Sequence, residues 1–524
     1  MSGNTVLIFI SFVVYLLVMI GIGAYCSANT KNTEDFYLGG RKLNGWVAAL
    51  SAQASDMSGW LLMGLPGAIY LYGFGEAWIG IGLFIGTTLN WLLISKRLRR
   101  YTIRSGNAIT LPAFFENRYR DQSRILLGVS SVFILLFFLV YTASAFASGG
   151  KLVSTVFGLD YHVAITIGSL VILVYTFLGG FMAVCETDFA QGMLMLVGLL
   201  AVPILAYASL GGAKVMMFID QSGVQGGVAS FSSLFYDGGE PIRGVTILSN
   251  LGWGLGYFGM PHILTRFMAV SSERELRKSK VIATVWVALS LSFACLIGWL
   301  GRAYLMPVVL DGAEAENIFI RMIIKLFTHQ YAFPLIGGIF LCGILAAIMS
   351  TADSQLLITS SALTEDLYRG ILNPKASEKT ALALSRYSVF AVAILAYLIA
   401  WNPESSIMGL VSNAWAGFGA TFGPVVLLSL FWRRSNRSGA IAGMLGGGLT
   451  VILWDYVPLL GGATLGQATR LYSLIPGFAA GFLSMLAVSL LTPPPAQEIL
   501  DEFDSVDRMT AAETEGGTEA EVIS

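Results

Sequence analysis

Apolar runs of about twenty residues recur along almost the whole chain, each long enough at ~1.5 Å rise per residue to cross a hydrocarbon layer of about 30 Å. In that layer no water bonds a free peptide group, so a spanning segment is an α-helix or a strand of a closed barrel. The runs are too long and too continuously apolar for barrel strands, and the expectation is an all-α polytopic membrane protein. Composition agrees: 12% of the 524 residues are charged, about half the roughly 25% of soluble domains, and the mean hydropathy is +0.72.

Thirteen spans are expected, near 5–26, 46–70, 77–95, 125–149, 161–183, 187–208, 244–269, 281–304, 333–360, 381–400, 405–431, 439–459 and 471–492. The first has no basic residue before it and no small-residue cleavage site after its core, so it reads as a retained span. Lysine and arginine asymmetry orients the rest. With the N-terminus outside, inner segments hold 24 of the 31 basic residues, among them Lys31, Arg41, Lys42, the KRLRR run at 96–100 and Arg266 to Lys280. The C-terminus then lies in the cytoplasm, and KRLRR is a topology signal rather than a nucleic-acid site. Residues 1–492 are expected to form one transmembrane domain, with 493–524 a disordered, acidic cytoplasmic tail. The Gly/Ser-rich loop 209–243 reads as mobile. Cys26, Cys185, Cys295 and Cys342 all fall in apolar segments without a CxxC pair, which suggests buried thiols. His162, His262 and His329 are too far apart for a histidine-rich metal centre.

Three stretches carry chemistry. The second span contains SAQASDMSGWLLMGLPG, which sets Asp56 near mid-membrane among small and polar residues. A carboxylate there costs about 2.5–3.5 kcal/mol on insertion scales, so it faces protein, water or an ion, or bonds backbone amides where the helix breaks. The seventh span contains GWGLGYFGMPH, whose glycines and proline weaken a helix; on it Trp253 and Tyr257 either pack or line a cavity. The ninth contains GILAAIMSTADSQLL, in which Ser350, Asp353 and Ser354 share one helix face. Hydroxyls and carboxylates are hard oxygen ligands for alkali or alkaline-earth cations, although Ser350 and Thr351 can equally bond back to their own helix. The two interrupted spans each open a block of five, spans 2–6 (46–208) and 7–11 (244–431), leaving 439–492 as the last two spans. Paired interruptions at corresponding places in two halves point to a midplane transport site between inverted repeats.

The stretches FYLGGRKL, ASDMSGWLLMGLPG, LGWGLGYFGMPHIL, SALTEDLYR and SNAWAGFGATFGPVVL closely resemble the sodium/solute symporter family, above all its proline-carrying members, over residues 5 to 490. The resemblance implies a leucine-transporter-type 5+5 inverted repeat with one extra N-terminal and two extra C-terminal helices. It implies a bacterial inner-membrane location and Na+-coupled uptake of a small zwitterion, L-proline, by alternating access. Carried over by motif, sodium would be held by the carbonyls of Ala54, Met57 and Ala347 and the hydroxyls of Ser350 and Thr351, with Asp56 supporting the site. The solute would meet Ser58, Gly59, Tyr141, Trp253, Tyr257 and Pro261. Trp60 would lie near the gate and Arg41 would serve coupling on the cytoplasmic side. No lysine or arginine is expected at midplane, which suits a zwitterion better than a dianion.

Asp188, with Asp353 and Ser354, is a candidate second cation site, because two close buried carboxylates need a cation or a proton between them. Asp188 can instead be a solvated residue at a helix start, favoured by the dipole. Another small organic solute, such as pantothenate, a sugar or sialic acid, is the alternative substrate. An uncoupled channel or sensor is the alternative class. Enzyme motifs such as HExxH, a nucleophile elbow or a phosphate loop are absent from the sequence. The expected partners are the solute and membrane lipid, with no nucleic acid and no obligatory protein partner.

Overall fold

The computed structural model describes residues 3–27, 33–177, 180–510 and 513. The apolar runs are helical throughout: α1 (Gly3–Ser27), α2 (Gly45–Asp56), α3 (Trp60–Tyr72), α4 (Phe74–Arg104), α5 (Leu111–Tyr119), α6 (Ile125–Phe157), α7 (Tyr161–Phe177) and α8 (Phe181–Leu210). Then follow α9 (Gly244–Gly252), α10 (Pro261–Ala269), α11 (Glu273–Tyr304), α12 (Pro334–Leu372), α13 (Glu378–Ile399), α14 (Ile407–Phe431), α15 (Arg437–Tyr456), α16 (Leu474–Leu491) and α17 (Gln497–Val506). Among the described residues ten helices are long and apolar enough to cross a membrane. Of the other three runs, the second and seventh fall short of that length because each is split in two, and the fifth because its described apolar helix, Tyr161–Val174, is shorter.

The splits have local causes. α2 starts where the Asn44 side chain accepts from the Trp46 and Val47 amides at 3.0 Å each, satisfying two of the free donors of a helix start. It ends at Met57, whose φ of −87° and ψ of 75° leave the helical region. In the second split, Trp253–Gly259 is a 3-10 helix, Met260 is extended, and Pro261 opens α10, the position where its missing N–H costs nothing. A Cβ on Gly254 would overlap the Gly82 carbonyl of α4, and one on Gly86 the Gly254 carbonyl. Glycine therefore lets the broken segment lie backbone to backbone on α4. The breaks are fully enclosed: α14 packs against Trp253–Gly259, and α15 and α16 pack on each other and on α14.

Three expectations change. The acidic tail is helical over Gln497–Val506: Ile499, Phe503 and Val506 are buried, an i, i+4, i+7 stripe. The guanidinium groups of Arg97 and Arg118 lie 4.8 and 5.2 Å from the Phe503 ring, and Asp504 bonds Arg433 at 3.0 Å. Residues 511, 512 and 514–524, the rest of that tail, lie outside the described residues, as do Lys31 and the side chain of Cys26; the other three thiols are free and buried. The loop 209–243, expected to be mobile, carries short regular elements. It has two short helices, Val215–Gln221 and Gly227–Phe231, and a two-stranded ribbon pairing Tyr236–Asp237 with Glu240–Pro241, anchored by Trp299 on Ser232 and Trp78 on the Leu234 carbonyl. Finally, α8 begins at Phe181, so Asp188 is two turns inside a helix and fully buried. That removes the reading of a solvated helix start.

Candidate functional site

The first break gathers polar atoms that a continuous helix would have consumed. Asp56 is fully buried, and its backbone carbonyl accepts from the Trp60 indole at 2.9 Å and the Tyr141 hydroxyl at 3.3 Å. Its carboxylate accepts from Tyr257 at 2.6 Å, so the second broken segment reaches back onto the first. The other Asp56 oxygen, Oδ1, has no hydrogen-bond partner among the described residues, nor has either amide atom of the buried Gln53. Orphaned buried polar atoms are rare in folded proteins, and Gln53 and Asp56, three residues apart on α2, share one face of that helix.

Next to this cluster α12 crosses α2. Ser350 donates to the Ala54 carbonyl at 2.8 Å, with Ala347 O at 3.2 Å, while Thr351 lies 3.0 Å from Ala347 O and 3.4 Å from Ala54 O. Four of the five expected sodium ligands thus converge, and the fifth, Met57, is fully buried at the break. Each hydroxyl has one proton and two lone pairs, so it can turn from its carbonyl and present oxygen to a cation. The donor set is of neutral hard oxygens and suits a small monovalent ion.

The remaining expected residues divide. Ser58 receives the Trp60 amide at 3.4 Å, and a Cβ on Gly59 would overlap Ser148 of α6, so both sit in the break against α6. Pro261 opens α10 and lines a small cavity with Tyr37, Thr110 and Asp366. The Trp253 ring stacks on Tyr472, with centroids 5.1 Å apart and planes 20° from parallel. Arg41 ties together the ends of spans 2, 3 and 7: it bonds Asn107 at 3.0 Å, Ala108 O at 3.0 Å and Met268 O at 2.7 Å. Beside it Leu43 N bonds Ala269 O at 3.1 Å and Ser271 N bonds Leu43 O at 2.9 Å.

A basic side chain lies among the residues of the candidate second cation site. Asp188 accepts from Ser51 at 2.7 Å and from Arg266 at 3.2 Å, and Arg266 also donates to Ser354 at 2.6 Å; Asp353 is buried beside Ser354. Arg266, counted above among the inner flanking charges, is fully buried. A count of flanking charges treats every arginine as solvated and has no means of detecting a partner far away in sequence.

Other residues at the site escaped notice. Asn90 donates to Tyr257 O at 2.9 Å. Trp415 donates to Trp253 O at 2.8 Å and meets the Tyr257 ring edge-on at 5.1 Å. Asn90 is a lone amide in the apolar stretch LNWLLI, and that was the available signal. Away from the breaks, buried Lys151 bonds Glu316 at 2.6 Å, and Glu316 accepts from Ser406 and the Ile407 amide at 3.0 and 2.9 Å, capping α14.

Comparison with known proteins agrees with this geometry. The model of the sodium:solute symporter family matches residues 36–447. The high-affinity proline transporter PutP of Bacillus subtilis is 46% identical over 489 residues, covering 93% of this chain and 98% of its own. The sodium/proline symporter of Escherichia coli is 44% identical over 503 residues, covering 95% and 96%. Among solved structures, a substrate-bound, outward-open sodium-coupled sialic acid symporter superposes with a TM-score of 0.74 at 20% identity, covering 94% of this chain and 98% of its own.

Proposed function

Since the chain belongs to the sodium:solute symporter family, we propose that it takes up L-proline together with sodium, exposing one central site to each side of the membrane in turn. The observation that carries this reading is the meeting of Ala54 O, Ala347 O, Ser350 and Thr351 beside a broken helix whose Asp56 is clasped by Tyr257 from the other broken helix. A sodium ion held by those oxygens supplies a positive charge that couples uptake to the membrane potential, roughly 2.3 kcal/mol per charge per ~100 mV.

The chain's own groups recognise the solute. The amides at the start of α3, after Ser58 and Gly59, present the positive end of a helix dipole to a carboxylate. Tyr141, Tyr257 and Trp60 offer aromatic faces and edges to an apolar ring and a secondary ammonium. Trp253 contributes from behind, through its carbonyl bond to Trp415, which in turn backs Tyr257. Arg41 and the Leu43–Val270 pairing hold the inner ends of the two broken spans together, so opening to the cytoplasm requires these bonds to separate.

Counting each interrupted span once gives thirteen crossings of a bacterial inner membrane, with the N-terminus outside, the C-terminus inside and lipid around the bundle. Purified protein in proteoliposomes should concentrate radiolabelled L-proline under an inward sodium gradient and not under an equal potassium gradient. Excess unlabelled proline should abolish the signal; if pantothenate, a sugar or sialic acid competes and proline does not, the substrate assignment is wrong.

A further inference from the structure

On the side of the breaks where Arg41 and Leu43 join the span ends, a small cavity adjoins Pro261, the first residue of α10. Thr265 one turn on, Tyr37, Thr110, Ser361 and Asp366 line it as well. Its volume is about 10 Å³, room for roughly one water molecule and far too little for an amino acid. Asp366, near the end of α12, is buried, and Thr110 donates to its Oδ1 at 2.8 Å. The same hydroxyl accepts from the Ala113 amide at 3.1 Å and so caps α5, which pins α5 to α12 across the cavity. Glu365 and Glu116, the charged groups that bear on Asp366, are acidic as well. Each has its own arginine, Arg369 at 2.9 Å and Arg124 at 3.7 Å. Among the described residues, then, it is a hydroxyl that the Asp366 carboxylate is bonded to.

A buried carboxylate held by one hydroxyl is costly, and a cation is the partner that relieves it. We propose that Asp366 is a release station for the solute, its carboxylate taking the secondary ammonium of proline as the solute leaves the central site for the cytoplasm. The reading rests on sodium-coupled proline uptake, with this side of the breaks facing inward. In the structure the station is shut, because Thr110 occupies the carboxylate and the cavity is too small for the solute. Parting of α5 from α12 breaks the Thr110 bond and lets the ammonium take the place of the hydroxyl. A charge-assisted bond is roughly twice as strong as a neutral one, so the exchange favours the solute over the latch. The two ends of the zwitterion are thus held by different groups, the carboxylate by the amides at the start of α3 and the departing ammonium by Asp366.

The test is proline exchange across oriented proteoliposomes with saturating sodium on both faces, so that sodium release does not limit the rate. Asp366→Asn removes the charge and keeps an oxygen for Thr110, which preserves the latch. It should raise the half-saturating proline concentration on the cytoplasmic face about tenfold, the worth of one hydrogen bond to a charge. Half-saturation on the outer face and sodium-dependent proline binding should be unchanged, and Asp366→Glu should recover much of the cytoplasmic affinity. Wild-type behaviour of folded Asp366→Asn on both faces overturns the proposal. Equal losses on both faces overturn it too, because they make Asp366 part of the central site or of the fold. Slowed net uptake into a sodium-free lumen with wild-type exchange would assign the carboxylate to sodium release and refute its role for the solute. Should Asp366→Asn fail to fold, Asp366→Ser, which is small, neutral and able to bond Thr110, is read in the same way. Wild type without sodium-driven proline uptake would refute the underlying function and the station with it, whereas every other outcome leaves that function standing.

Discussion

Ser350→Ala is the substitution that isolates the ion from the solute. Ser350 is fully buried on α12, and its hydroxyl bonds Ala54 O at 2.8 Å in the structure. Alanine removes one oxygen, leaves almost no void and favours the helix. In the ion-free state the loss is one neutral hydrogen bond, about 0.5–1.5 kcal/mol; in the ion-bound state it is an interaction with a charge, about 1.5–3 kcal/mol. The difference, about 1–2 kcal/mol, should raise the half-maximal sodium concentration roughly fivefold to thirtyfold at ~1.4 kcal/mol per decade. Coupling between two ligands is reciprocal. At a fixed low sodium concentration the variant should therefore bind proline more weakly, and at saturating sodium it should regain wild-type affinity. Sodium-titrated binding of radiolabelled proline to purified protein measures both quantities. Unchanged sodium dependence would remove Ser350 from the ion site. Weakened proline binding that persists at saturating sodium would show that the hydroxyl shapes the solute pocket instead.

Trp253→Ala and Tyr472→Ala should each lower thermal stability, the tryptophan by about 3–5 kcal/mol. The double variant should lose less than the sum by about 0.5–1.5 kcal/mol, the worth of the stacked pair; strictly additive losses in denaturation scans would mean the stack contributes nothing. Lys151→Met leaves Glu316 buried without its cation and should destabilise by about 3–5 kcal/mol. In Lys151→Met/Glu316→Leu part of this should return, leaving a deficit of about 1 kcal/mol from the lost cap on α14; an unaltered melting temperature in the single variant would contradict a buried pair. Phe503→Ser should detach α17 and speed trypsin cleavage at Arg508 severalfold without altering the melting of the spans, and an unchanged cleavage rate would mean the arginine contacts alone hold the tail.

Reading along the chain sufficed to place the apolar runs as helices and to pick out the two that break, because both follow from local causes: a long apolar segment in lipid has no other way to bond its backbone, and Gly252 to Pro261 cannot sustain a regular helix. The local pattern singled out Ser350, since polar side chains in such segments need a reason to be there; Ala54 and Thr351 came in as ion ligands only through the family resemblance, and the structure brings the three together. What escaped was pairing across long separations. Arg266 reads as an inner flanking charge until α10 is seen to insert it between Asp188 and Ser354, 78 and 88 residues away. Lys151 reads as an outer one until Glu316 is found 165 residues on. Trp253 is assigned to the solute pocket by motif, and its stack on Tyr472, far along the chain, could not be read from the sequence. The tail is acidic enough to suggest disorder, and its Gln497–Val506 segment is helical against Arg97, Arg118 and Arg433, a surface that only the folded bundle assembles. Composition and periodicity report the surroundings that a residue needs on average, whereas the free energy of a buried charge depends on the one partner that tertiary packing brings within about 3 Å.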